Sequence, residues 1–175
     1  MEITLRSAAG LAAIEAVARA VPEMQVGAGT VTRASEVAQV LTAGARFGLS
    51  PGSTPELLAA VLAAGLPFVP GVASPSEAMA ARDAGFTLMK CFPAAQLGGV
   101  EVLKAWGGPL PDLRFCPTGG VSLANMGSFL ALPNVAMVGG SWLTPAAAVK
   151  AGDWAQITRL AREATDAVAA LQAGR

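Results

Sequence analysis

Short apolar runs alternate along this chain with longer stretches in which Ala, Leu and Val recur every three or four positions. The runs predict strands at residues 2–5, 25–28, 46–50, 68–70, 87–91, 114–116 and 136–138. The stretches between them predict helices at 8–20, 33–43, 55–64, 76–84 and 123–130, with a long last helix from 152 to about 173. That last helix carries Ile157, Leu160, Ala164 and Val168 on one stripe. Start and stop signals agree with the periodicity. Thr32-Arg33-Ala34-Ser35-Glu36, Ser53-Thr54-Pro55-Glu56 and Ser74-Pro75-Ser76-Glu77 each offer a hydroxyl cap with an acid or proline in the first turn. Gly44, Gly65 and Gly85 each follow an alanine at a helix end.

Strand starts recur about every 20 to 25 residues, as in a repeated βα unit. Alternating β and α segments with short turns give a parallel sheet covered by helices. A right-handed series of them closes most often as a (β/α)8 TIM-type barrel. About seven strands are counted rather than eight, and the chain opens within the first. The expectation is therefore an α/β barrel that lacks its first βα unit, with residues 1–175 forming a single, partial barrel domain.

Composition narrows the chemistry. Apolar residues make up 53% of the chain, charged residues 14%, and the formal net charge is zero. No basic patch or acidic tail points to nucleic acid. No apolar stretch reaches the ~20 residues of a membrane span. Histidine is absent, which excludes histidine triads, histidine metal sites and imidazole acid–base catalysis. Cys91 and Cys116 lie in separate strand segments without metal-ligand spacing, so they read as small buried groups of a reduced, cytoplasmic protein.

The chain has three lysines, Lys90, Lys104 and Lys150, and Lys90 alone closes an apolar run, Phe86-Thr87-Leu88-Met89-Lys90-Cys91-Phe92-Pro93. An ammonium in such surroundings is poorly hydrated, which favours the neutral, nucleophilic amine that condenses with a carbonyl. The alternative is a lysine snorkelling from a strand end. Alternation on the first strand puts Glu2, Thr4 and Arg6 on one face, pointing inwards if Ile3 and Leu5 pack on helices. Glu2 is thus a candidate acid–base group beside Lys90, and Arg6 a candidate clamp for a carboxylate. An internal Glu–Arg pair, or a frayed start, accounts for the same spacing. The remaining strand ends offer Thr30, Pro51 and Phe92. The double glycines Gly119-Gly120 and Gly139-Gly140, with Thr118 and Ser141 beside them, are candidates for a backbone phosphate cradle. They serve equally well as tight turns.

Glu2-Ile3-Thr4-Leu5-Arg6, Gly27-Ala28-Gly29-Thr30, Ser50-Pro51-Gly52, Lys90-Cys91-Phe92-Pro93, Cys116-Pro117-Thr118-Gly119-Gly120 and Gly139-Gly140-Ser141-Trp142 come in this order. Together they resemble, in order and spacing, the 2-keto-3-deoxy-6-phosphogluconate (KDPG) and 4-hydroxy-2-oxoglutarate (KHG) aldolases, class I enzymes of which the former serve the Entner–Doudoroff pathway. The resemblance implies a homotrimeric barrel with Lys90 as the Schiff-base lysine and Glu2 as general acid–base. It gives the pyruvoyl carboxylate to Arg6 and Thr30, and its pocket wall to Pro51 and Phe92. Thr118, Gly119, Gly120, Gly139, Gly140 and Ser141 would serve the phosphate-bearing end. The implied partner is a small phosphorylated keto acid, with no metal or cofactor. Family members carry a further strand and helix ahead of the position of Glu2. Rival expectations are a 4-hydroxy-2-oxoglutarate or galactonate-derived substrate, an isomerase using Glu2 alone, or an inactive truncated barrel.

Overall fold

The structure, a computed structural model, describes residues 1–173. They form two compact units, one spanning Met1–Phe92 and one beginning at Pro93. In the first unit strands and helices alternate: β1 (Glu2–Thr4), α1 (Gly10–Ala20), β2 (Gly27–Gly29), α2 (Ala34–Thr42), β3 (Gly48–Leu49), α3 (Pro55–Ala63), β4 (Phe68–Val69), β5 (Gly71–Val72), α4 (Pro75–Asp83) and β6 (Leu88–Cys91). All pairings are parallel. β1 to β4 form one sheet in chain order, with Thr4 opposite Gly29 and Gly48 opposite Phe68. β5 pairs with β6 and puts Gly71 opposite Lys90.

The expected strand at 68–70 is divided between β4 and β5. Pro70 has no N–H for the ladder, and the next N–H, that of Gly71, goes to the Ser50 hydroxyl at 3.1 Å. Helix starts follow the predicted chemistry at two of three places. Thr54 accepts from the Leu57 N–H, and Ser74 accepts from Glu77 while Glu77 takes the N–H of Ser74. At α2 the cap is different: the Glu36 carboxylate, not a hydroxyl, takes the N–H groups of Thr32 and Arg33. The α2 stop is as expected, with Gly44 at φ +91 and the Ala45 N–H returning to Val40. Ile14, Val40, Leu57, Val61 and Met89 are among the most deeply buried side chains of this unit.

The second unit comprises α5 (Gly99–Gly107), β7 (Arg114–Pro117), α6 (Met126–Leu130), α7 (Ala146–Ala151) and α8 (Trp154–Ala173). Leu103, Trp106, Leu113, Phe115, Met126 and Phe129 are buried here, with Trp106 and Phe115 meeting edge to face at 5.4 Å. The buried Asn134 gives its amide to the Leu103 carbonyl at 2.8 Å. The segment expected as the last strand pairs with its neighbours at its ends, Phe115 with Val135 and Thr118 with Gly139. Ala136 and Met137 between them are exposed, so burial fixes the ends and leaves the middle irregular.

Candidate active site

Lys90 occupies the third position of β6, between Met89 and Cys91, both fully buried. The lysine itself is 5% exposed. Its Nζ lies 3.9 Å from Glu2 Oε1 and 5.1 Å from the centroid of the Phe92 ring. A dry ammonium is costly unless a carboxylate or a ring face answers its charge, and both do so here.

Glu2 reaches this position because of Gly29. A Cβ on Gly29 would stand 1.9 Å from Glu2 Oε1 and 2.6 Å from its Cδ, so the carboxyl group lies across the bare Cα of β2. The strand expected at 25–28 ends one residue before Gly29, whereas β2 includes it. The signal for its role is the Gly-x-Gly alternation inside a strand, which marks close approach of another group.

Thr30 follows at once, at φ +60, an uncommon conformation for a β-branched residue. The backbone on either side enforces it. The Gly29 carbonyl accepts from Leu5 at 2.9 Å, and the Val31 N–H donates to Leu49 at 3.0 Å. Strain held in place by two strands is typical of a functional turn. Arg6 lies beyond the end of β1, is exposed, and donates from Nε to Thr4 Oγ1 at 3.3 Å. Pro51 is half-buried, and its carbonyl group presses on Gly71.

In the second unit Thr118 pairs with Gly139, where a Cβ would meet the Thr118 hydroxyl at 2.7 Å. Gly119 and Gly120 both have positive φ, and a Cβ on Gly120 would stand 2.3 Å from that of Ala95. The Gly120 carbonyl accepts from Asn125 Nδ2 at 2.9 Å, and Asn125 Oδ1 accepts from the Ser122 N–H. Gly140 lies under the Trp142 ring, and Ser141 is exposed. The structure thus gathers Lys90, Glu2 and Phe92 in one unit, and Thr118 with Gly139 in the other. Two surface depressions, of about 440 and 260 Å³, lie against α1 and α2 and against α3 and α4, and neither is lined by Lys90 or Glu2.

The chain as a whole has counterparts in known proteins. Residues 1–160 match the family described as "KDPG and KHG aldolase". The chain belongs to that family. It is similar to the 2-dehydro-3-deoxy-phosphogluconate aldolase of Pseudoalteromonas atlantica, with 50% identity over 98% of this chain and 80% of that protein. The KHG/KDPG aldolase of Escherichia coli is 49% identical over 95% of this chain and 78% of its own length. Among solved structures, the KDPG aldolase of Legionella pneumophila superposes with a TM-score of 0.89 at 46% identity, over 91% of this chain and 77% of that one. That protein was captured with pyruvate as a covalent carbinolamine intermediate. As a KDPG/KHG aldolase this chain is a lyase, and its fold class is the α/β TIM type with about seven strands among the described residues.

Proposed function

We propose that this aldolase cleaves 2-dehydro-3-deoxy-6-phosphogluconate to pyruvate and glyceraldehyde 3-phosphate through a Schiff base on Lys90. The observation that carries the reading is the pairing of a lysine 5% exposed with a carboxylate 3.9 Å from its nitrogen. The Lys90 amine adds to the C2 ketone to give a carbinolamine, and loss of water leaves a protonated imine. Glu2 removes the proton of the C4 hydroxyl. The C3–C4 bond then breaks, its electron pair moves into the imine to form an enamine, and the aldehyde departs. Protonation of the enamine at C3 by Glu2 and hydrolysis of the imine release pyruvate and restore the amine. Removal of a proton by a carboxylate and its return to carbon need a group that changes protonation beside the nitrogen, and Glu2 is that group.

In this reading Arg6 and Thr30 hold the substrate carboxylate, and Pro51 and Phe92 form the wall beside it. Thr118, Gly119, Gly120, Gly139, Gly140 and Ser141 receive the phosphate, for which glycine N–H groups unscreened by Cβ are well suited. The reading takes residues 1–175 as one catalytic domain, assembled as a homotrimer. Leu62 and Met79, about half exposed at 52% and 47%, are apolar surface of the kind assembly covers. A phosphorylated keto acid does not cross membranes, so the enzyme works in the cytoplasm.

Borohydride added with pyruvate tests the reading. The parent chain gains one reduced pyruvyl group on Lys90, and Lys90→Met gains none. A parent that turns over the phosphorylated substrate without being trapped refutes the Schiff base. The name of the Escherichia coli relative favours comparing a second substrate, 4-hydroxy-2-oxoglutarate, and the ratio of kcat/KM values ranks the two.

A further inference from the structure

Ser50 is fully buried, and the mechanism above does not use it. It follows β3, its N–H donates to the Val69 carbonyl at 3.4 Å, and its hydroxyl accepts from the Gly71 N–H at 3.1 Å. Ser53 donates to the carbonyl of the same Gly71 at 3.0 Å. Between the two serines the loop backbone presses on Gly71, where a Cβ would stand 2.3 Å from the Pro51 carbonyl carbon and 2.5 Å from the Gly52 nitrogen. Gly71 is therefore held at its N–H, its carbonyl and its Cα by one loop, residues 50–53. It is also the residue in register with Lys90. The Lys90 N–H donates to the Pro70 carbonyl at 2.8 Å, and the Phe92 N–H to Val72 at 3.1 Å, so β6 takes its position from the segment Ser50 anchors.

The proline explains why a side chain is needed. Pro70 interrupts the strand, and the Gly71 N–H that follows would otherwise be buried without an acceptor. The Ser50 hydroxyl supplies that acceptor and fixes how far β5 sits from β3. A change there is passed through two main-chain hydrogen bonds to the lysine.

We propose that Ser50 is a positioning residue for the Schiff-base amine: by holding Gly71, it sets the place of Lys90 in its strand. The inference rests on the aldolase reading. It accounts for a fully buried hydroxyl in a motif, Ser50-Pro51-Gly52, of which that reading uses Pro51 alone.

The test is the rate of borohydride trapping as a function of pyruvate concentration. Ser50→Ala lowers the limiting trapping rate about tenfold or more, because displacing a nucleophile by a fraction of an ångström already removes much of the benefit of orientation. Half-saturating pyruvate changes less than about threefold, since Ser50 does not face the substrate. Val61→Ala, a truncation of a buried side chain of α3, lowers the melting temperature and leaves the trapping rate within about twofold of the parent. Ser53→Ala, at a half-buried position, slows trapping several-fold and serves if Ser50→Ala does not fold. Trapping at the parent rate in Ser50→Ala, or in Ser53→Ala where that is the variant that folds, overturns the proposal. So does a loss in Val61→Ala equal to that of the serine variant. A parent that is never trapped defeats the Schiff base itself, and the Ser50 inference with it.

Discussion

Gly29→Ala is the sharpest single perturbation of the Glu2–Lys90 pair. The new Cβ would start 1.9 Å from Glu2 Oε1, and ordinary contact begins near 3.4 Å, so the carboxylate must withdraw by about 1.5 Å. Gly29 is not among the glycines of positive φ, and the obstructing atoms belong to the flexible Glu2 side chain rather than to backbone. The backbone therefore accepts alanine. Reduced freedom of the unfolded chain contributes about 0.4–1 kcal/mol in favour of the variant and opposes the weakened pairing of the buried Lys90, so its urea midpoint moves little. Catalysis suffers instead. A misplacement of this size in the proposed proton-transfer group costs about a hundredfold in kcat, or roughly 2.7 kcal/mol of barrier. A lactate dehydrogenase coupled assay for pyruvate gives kcat directly. The Glu2→Gln background makes the cause specific: once the carboxylate is gone, Gly29→Ala has little further to remove, so the two losses do not add. A kcat within about twofold of the parent refutes the reasoning, as does a hundredfold loss that persists in Glu2→Gln.

Other substitutions probe separate links. Thr30→Gly relieves a φ of +60, about 1–2 kcal/mol for an L-residue, and returns about 0.5–1 kcal/mol through glycine's freedom in the unfolded chain. The melting temperature therefore holds while the loss of a hydroxyl from the proposed carboxylate site raises KM about tenfold; a lower melting temperature with unchanged KM contradicts both parts. Trp106→Ala empties a buried site against Phe115 and costs about 3–5 kcal/mol, read as a fall in the urea midpoint, and a loss below about 1 kcal/mol shows that the site collapses freely.

What was legible in the sequence was local. The Ser74 and Thr54 caps could be read because donor and acceptor lie within one turn. The α2 cap was misassigned because Thr32 and Glu36 both offer oxygen, and nothing in the linear order says which will meet the free N–H groups. Helices α5 and α7 fall in stretches for which no start or stop signal was read. α5 begins on Gly98-Gly99, with Gly98 at φ +119, and has neither a hydroxyl nor a proline to announce it. The division of the fourth strand at Pro70 was foreseeable from proline's missing N–H. Its remedy, a serine 21 residues before Gly71, was not, because that contact exists only once β3 and β4 lie side by side.

The same distinction separates the two halves of the candidate site. Lys90 stood out because a cation in an apolar run needs a partner wherever it folds. Glu15, Glu36, Glu56, Glu77 and Asp83 all fall within helices, Glu23 lies between α1 and β2, and Glu2 is the acid of this unit that lies in a strand. Side chains that meet inside a parallel sheet come from its strands, which agrees with the strand alternation that made Glu2 a candidate. It does not supply the distance. A carboxylate 3.9 Å from the amine requires that β2 offer no Cβ where the glutamate crosses it and that β5 hold β6 in register. Those conditions fall on Gly29 and Ser50, two small residues that look like ordinary turn formers until the strand order places them beside the acid and the lysine.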